Sequence, residues 1–222
     1  TPKHAGELLA LIIRGRPLAL QEAAVMDIDE AAFREDRVKA KRYGQLQVPA
    51  ENQYMQNMKD GGVEHKELVL QDIAAYMTEI MEDDVLYFIG SGSTPKAIMD
   101  ELGLEATLLG VDLLENQQLV AADVSEKQIL SFLENEKPAK IILTIIGGQG
   151  HLLGRGNQQF SAQAIRKIGK QNIIIIATPE KLHALDGQPI RVDTGDDKLN
   201  HELCGMTQLV TGYDQHTLYK IG

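Results

Sequence analysis

Two glycine-rich turns in this chain each stand between an apolar strand and a helix. The first is Gly90-Ser91-Gly92-Ser93-Thr94, entered from Val85–Ile89 and followed by Pro95–Gly103. The second runs through Gly147, Gly148, Gln149, Gly150, His151, Gly154, Arg155 and Gly156 to Asn157, between Lys140–Ile146 and Ser161–Ile168. A strand that feeds a glycine turn into a helix leaves backbone N–H groups unpaired at the positive end of the helix dipole. Phosphates and carboxylates bind there, so the expected chemistry is recognition of a phosphorylated small molecule or nucleotide. Gly90 and Gly92 let the backbone approach an anion closely, and Ser91, Ser93 and Thr94 add hydroxyl donors. The spacing Gly-x-x-x-x-Gly-Lys-Ser/Thr of a P-loop is missing, which removes any Walker lysine. Lys96 is near enough in sequence to close over a bound phosphate.

The second turn holds five glycines in the ten residues from Gly147 to Gly156, and it is too long to be only a reversal of the chain. Arg155 is a natural fork for phosphate or carboxylate. Gln149, Asn157 and Gln158 are neutral hydrogen-bonding residues suited to a ribose or an amide. Leu153 occupies the place of a third glycine, so the dinucleotide fingerprint Gly-x-Gly-x-x-Gly is not met. For both turns the plainer alternative stays open, a structural bend that needs only positive φ angles.

Asp112 is expected at the carboxyl end of a strand, where an acid can act as a base or hold Mg²⁺ beside a phosphate. It is the one candidate catalytic residue, and a helix-capping role is equally open to it. Asp196 reads as a helix cap. His65, His183 and His216 lack ligand spacing, and no metal site is expected from the residues themselves.

The elements that must position these residues follow from the apolar pattern. Residues 63–81 carry Leu68, Val69, Ile73, Tyr76, Met77, Ile80 and Met81 at helical spacing. Strands 85–89, 106–112, 139–146, 172–177 and 189–193 then alternate with helices 95–103, 125–136, 161–168, 179–186 and 196–204, and a last strand pair lies within 206–221. Ile141–Ile146 and Ile173–Ala177 are apolar without alternation, as strands buried on both faces are. The expected fold is α/β, a mostly parallel sheet covered by helices, over residues 63–222. Before it, residues 1–62 hold an opening helix stopped at Gly15, a strand at Ala23–Ile28, a short helix from Asp29 to Phe33, and an alternating strand over Val38–Val48. They form a small antiparallel piece, divided from the rest near Gly61-Gly62.

The 222 residues carry a formal charge of −10 with 43% hydrophobic and 24% charged content. That acidity excludes nucleic acid as a partner, because phosphate backbones select basic faces. Cys204 is the single cysteine, which excludes an intrachain disulfide and reads as a packing thiol. No apolar run reaches the length of about 20 residues that a membrane span needs, and no signal-peptide layout is visible. The expectation is a cytoplasmic protein, with homo-oligomerisation left open. Thr1-Pro2 reads as a helix cap and first helical position without an initiator Met, the look of a chain cut from a longer protein.

Several strings together resemble the ATP–NAD kinase-like family, the group of predicted polyphosphate/ATP-dependent NAD kinases related to acetoin-catabolism X proteins. They are Ile146-Gly-Gly-Gln-Gly-His-Leu-Leu-Gly-Arg-Gly-Asn-Gln-Gln159, Pro179-Glu-Lys-Leu-His-Ala-Leu185, Val192-Asp-Thr-Gly195 and Val210-Thr-Gly-Tyr213. Upstream, Val25-Met-Asp-Ile-Asp-Glu30 and Leu109-Gly-Val-Asp-Leu113 fit as well. The resemblance spans nearly the whole chain and implies its C-terminal region. It implies phosphoryl transfer from ATP or polyphosphate, with Mg²⁺, to the 2′-hydroxyl of NAD, giving NADP. The family's essential aspartate lies in a Gly-Gly-Asp-Gly-Thr loop that this sequence does not contain. Gly147-Gly148-Gln149-Gly150 has Gln149 in the place of the acid, so the catalytic role is not carried onto it. The resemblance thus implies a missing N-terminal domain as partner, and inactivity of this region alone. Two other functions stay open: a non-catalytic module sensing a sugar phosphate or nucleotide, and a sugar-phosphate isomerase using Asp112 and Lys96.

Overall fold

The computed structural model describes residues 6, 9–10, 12–15, 20–28, 40–49, 64–146, 150–154 and 156–222. The chain divides into two compact units, Thr1–Asn57 and Met58–Gly222.

In the first unit the described residues between Gly6 and Ile13 are helical, and the Gly15 N–H closes the helix end on the Ile12 carbonyl at 2.9 Å. Strands β1 (Leu20–Ile28) and β2 (Ala40–Pro49) pair antiparallel, with a register shift between Val25 and Met26. Such a shift bends the ribbon and increases its twist. The short helix expected from Asp29 to Phe33 lies outside the described residues.

The second unit opens with helix α1 (Glu64–Glu79) and continues through β3 (Leu86–Ile89), α2 (Ser93–Glu101), β4 (Asp112–Glu115), β5 (Gln118–Ala121) and α3 (Glu126–Phe132). It goes on through β6 (Ala139–Thr144), β7 (His151–Leu153), α4 (Ala162–Ile168), β8 (Ile173–Ile176) and α5 (Pro179–His183). The last elements are β9 (Arg191–Val192), α6 (Asp197–Leu203), β10 (Gly205–Gly212) and β11 (Gln215–Ile221). Seven strands form one sheet in the order β11-β10-β8-β6-β3-β4-β5. The four central strands β3, β6, β8 and β10 run parallel, and the hairpins at both ends supply the antiparallel strands. The expected α/β architecture is the one observed.

Alternation along each strand divides the core into two layers. Leu86, Phe88, Leu113, Ile141, Leu143 and Ile175 pack on one face with Ile129 of α3, Ala164 and Ile165 of α4, and Leu199 and Leu203 of α6. Tyr87, Ile89, Leu114 and Ile142 pack on the other face with Ile73 and Met77 of α1 and Ile98 and Met99 of α2. A central strand with both faces covered is apolar through its middle, which is why Ile141–Leu143 of β6 and Ile173–Ile176 of β8 read as unbroken apolar runs. Burying a side chain such as Phe88 contributes about 1.5–3 kcal/mol.

Two expectations need correction, and one hairpin goes unread in the sequence. Residues 104–111 form a loop, and the strand expected at 106–112 begins only at Asp112 and runs antiparallel to β3. The loop escapes the sheet because its polar groups are bonded elsewhere: Gly92 N–H donates to the Leu108 carbonyl at 2.9 Å, and Thr107 N–H to the Asp112 carboxylate at 2.6 Å. The β4–β5 reversal at Asn116-Gln117 was not legible as a hairpin; both residues have positive φ, 51° and 59°, the geometry of a type I′ turn. Finally, β9 lies outside the main sheet and pairs in parallel with β7.

Candidate functional site

The parallel strands send their carboxyl ends to one edge, and polar residues that are nearly inaccessible gather on the segments leaving it. Ser91 and Thr94 follow β3, Thr144 ends β6, Thr178 follows β8, and Thr211 lies near the end of β10; each is less than 9% exposed. Open parallel sheets bind their ligands beyond this edge.

Helix α2 begins at Ser93, with Gly92 as its cap at φ 118° and ψ 165°, a conformation open essentially to glycine alone. Pro95 is therefore the third helical residue rather than the first. The earliest intrahelical bond is Lys96 N–H to the Gly92 carbonyl at 3.0 Å. Gly90 N–H donates to Ile142, Gly92 N–H to Leu108, and Ser91 N–H to the Asn157 side chain. Among the described residues this leaves the N–H groups of Ser93 and Thr94 directed to no protein acceptor. The amides of the turn left open to a ligand are thus its last two, narrower than the whole of Gly90–Thr94. Lys96 does not reach over them: its ammonium bonds both carboxylate oxygens of Asp100 at 2.8 Å, one turn along α2.

The two glycine turns meet directly. Ser91 Oγ donates to the Gly156 carbonyl at 2.6 Å, and Asn157 Oδ1 accepts from Ser91 N–H at 3.1 Å while Asn157 Nδ2 donates to the Leu152 carbonyl at 3.0 Å. Asn157 is fully buried. Gly156 has φ 95°, and a Cβ there would lie 2.7 Å from Ile146 Cδ1, so the turns can close only on a glycine. The Gly150 carbonyl accepts from Arg191 N–H at 2.7 Å. Gly147, Gly148, Gln149 and Arg155 lie outside the described residues.

A lysine that the sequence did not single out completes the arrangement. Thr178 caps α5 with its side chain on Lys181 N–H, and Pro179 holds the first helical position. One turn along α5, Lys181 Nζ donates to Thr94 Oγ1 at 2.9 Å and Thr144 Oγ1 at 2.8 Å. The ammonium thus ties the start of α2 to the end of β6. The signal was present in the capped helix start that leaves β8, which fixes where Lys181 must lie; only the lysine's partners were hidden.

Asp112 is 2% exposed, and its two oxygens accept from the N–H groups of Thr107 and Asp123 at 2.6 and 3.0 Å. It opens β4 and clasps the loops on either side of that strand's start. Asp196 caps α6 through Leu199 N–H at 2.9 Å. The Arg166 guanidinium beside it, and then that N–H, hold its carboxyl down at about 2. Cys204 Sγ donates to the Asn200 carbonyl at the end of α6. A shallow groove of about 420 Å³ lies elsewhere, between α3 and α4, lined by Glu126, Lys127, Ser131, Gln163 and Lys167 among others.

The donor set at the sheet edge is amide, hydroxyl and ammonium. It suits an anion and does not fit a resident Mg²⁺, which takes carboxylate oxygens. No group of three His, Cys, Asp or Glu residues among those described could hold a metal ion.

An α/β protein whose parallel-sheet edge gathers amide, hydroxyl and ammonium donors is what fold and site together define. Residues 82–221 match the family model of the ATP-NAD kinase C-terminal domain, and the chain belongs to that family. No curated protein and no solved structure matches the chain. No helix among the described residues is long and apolar enough to cross a membrane.

Proposed function

We propose that this chain supplies the phosphate- and nucleotide-binding cleft of an NAD kinase-like phosphotransferase, one that moves a phosphoryl group from ATP or polyphosphate to NAD and yields NADP. The observation that carries the reading is the closure of the two glycine turns on each other, with Ser91 on Gly156 and Asn157, inside a region of matching family. Of the described residues in the two turns, Ser93 and Thr94 would meet the ligand through their amides, while Gly90, Ser91, Gly92, Gly150 and Asn157 would shape the turns that carry them. Gly147, Gly148, Gln149 and Arg155 join the binding surface on sequence grounds. In phosphoryl transfer the protein's work is positioning and charge neutralisation. Here Ser93 and Thr94 N–H groups would orient a phosphate, Lys181 would offset its charge, and the Ser91–Asn157 clasp would hold the two turns at fixed spacing. Mg²⁺ would have to come with the nucleotide or be held by residues of another domain. The expected setting is the cytoplasm, with a domain bearing the Gly-Gly-Asp-Gly loop as partner.

The sensing-module reading has its own support: the described donors at the edge are neutral or cationic, and Asp112 is turned onto two loop amides. NADP formation decides between the two. The 222-residue chain with ATP, Mg²⁺ and NAD is expected to make none, and addition of a domain bearing the acidic loop is expected to restore turnover. Turnover by the chain alone would move the catalytic centre into these residues. Nucleotide binding with no turnover in either case would favour the sensor.

A further inference from the structure

Lys181 reaches two of the most deeply buried hydroxyls among the described residues. Thr94 is 1% exposed and Thr144 2% exposed, and each accepts a hydrogen bond from the ammonium. A hydroxyl that accepts from N–H keeps its own proton to donate. Neither threonine O–H has a protein acceptor among the described residues. Buried donors of this kind are normally satisfied, so two of them side by side mark a place where something else accepts. The N–H groups of Ser93 and Thr94 add two more donors on the same turn. The groups stand close: a Cβ on Gly92 would lie 3.2 Å from Thr144 Cγ2.

Every group in this cluster donates. A ligand with donors of its own, such as an amide or a sugar hydroxyl, would find only the second lone pair of each threonine oxygen; a carboxylate has two oxygens to set against four donors and an ammonium. A phosphate group has three or four acceptor oxygens and carries the opposite charge. Resting on the nucleotide-cleft reading above, we infer that Thr94, Thr144 and Lys181, with the Ser93 and Thr94 amides, form an oxyanion subsite that takes a phosphate group. Three different strands deliver these residues: β3 through α2, β6 through its last residue, and β8 through α5. The subsite therefore exists only when the parallel sheet is assembled. Lys181 is the charged member, in the part that Lys96 cannot play while bonded to Asp100.

The test is titration of the 222-residue chain with inorganic phosphate, ADP and NAD, followed by calorimetry and by the amide signals of Ser93 and Thr94. Binding of at least one probe with movement of those two amides is expected. Lys181→Met and Thr144→Val should each weaken it about tenfold or more, and Thr144→Ser, which keeps the hydroxyl, should bind like the parent. Tighter ADP or NAD than inorganic phosphate would identify a nucleotide phosphate as the occupant, and the reverse order free phosphate; both support the subsite. Failure of all three probes would overturn it, as would binding that leaves the Ser93 and Thr94 amides unmoved or is unchanged in Thr144→Val and Lys181→Met. The amide shifts are read on the parent chain, so the test survives a variant that does not fold. The titration needs no turnover, so its result is independent of whether NADP is made.

Discussion

The Ser91 hydroxyl donates to the Gly156 carbonyl at 2.6 Å, across 65 residues of sequence. That bond and the one that Asn157 Oδ1 accepts from Ser91 N–H join the turn after β3 to the turn after β7. With them, the start of α2 is braced by the second turn as well as by Lys181. A loop braced in this way is preorganised, so a ligand bound there loses less free energy to ordering the protein.

Asn157 is the centre of that brace. Replacing it by alanine strands the buried Ser91 N–H and the Leu152 carbonyl together, at a cost of about 2–3 kcal/mol. Ser91→Ala removes only the hydroxyl and should cost about 1 kcal/mol. Urea unfolding midpoints of the two variants check the ranking; equal and negligible losses would show that the turns are not joined in solution.

Asp112 separates a structural role from a catalytic one. Its oxygens hold Thr107 and Asp123 N–H groups, and Asn in its place can accept only one of them. Asp112→Asn should destabilise the chain by about 1–3 kcal/mol and leave nucleotide affinity within about twofold at temperatures where it is folded. Full stability combined with lost turnover, measured in the presence of an acidic-loop domain, would make Asp112 the catalytic acid or base instead.

Acid should loosen the contact between α4 and α6. Asp196 sits at about 2 because Arg166 and the Leu199 N–H favour its ionised form, against an ordinary value of about 3.9. A carboxyl depressed in the folded state contributes stability that is complete above its unfolded value and is lost as pH falls through its folded value. The thermal midpoint should therefore drop between about pH 4 and 2 more steeply in the parent than in Asp196→Asn. Because the Arg166–Asp196 pair is partly exposed, high salt should shrink the difference.

Much of this fold is written plainly in the sequence, for a physical reason. Ile141–Leu143 and Ile173–Ile176 are apolar at every position because helices cover both faces, and Ser161, Thr178 and Asp196 stand where helices begin and cap them. The loop at 104–111 was hidden because Leu108, Leu109 and Val111 look like strand residues, while the bonds that pull this segment off the sheet come from Gly92 and Asp112. Of the site, the Gly90–Thr94 turn was visible from its own residues. Its partners were not: Lys181 lies 87 residues from Thr94, and only the parallel winding of β3, β6 and β8 brings them together. Lys96, adjacent in sequence, was the natural candidate, but its local bond to Asp100 at i,i+4 occupies it.

The central claim is that the carboxyl edge of the parallel sheet is where this chain meets a phosphorylated nucleotide. The most direct measurement is an amide-resolved titration of the isotope-labelled chain with NAD and, separately, with ATP. Shifts confined to Ser91–Thr94, Thr144, Gly156, Asn157 and Thr178–Lys181 are expected. No shifts at saturating nucleotide, or shifts centred on the groove between α3 and α4, would contradict it.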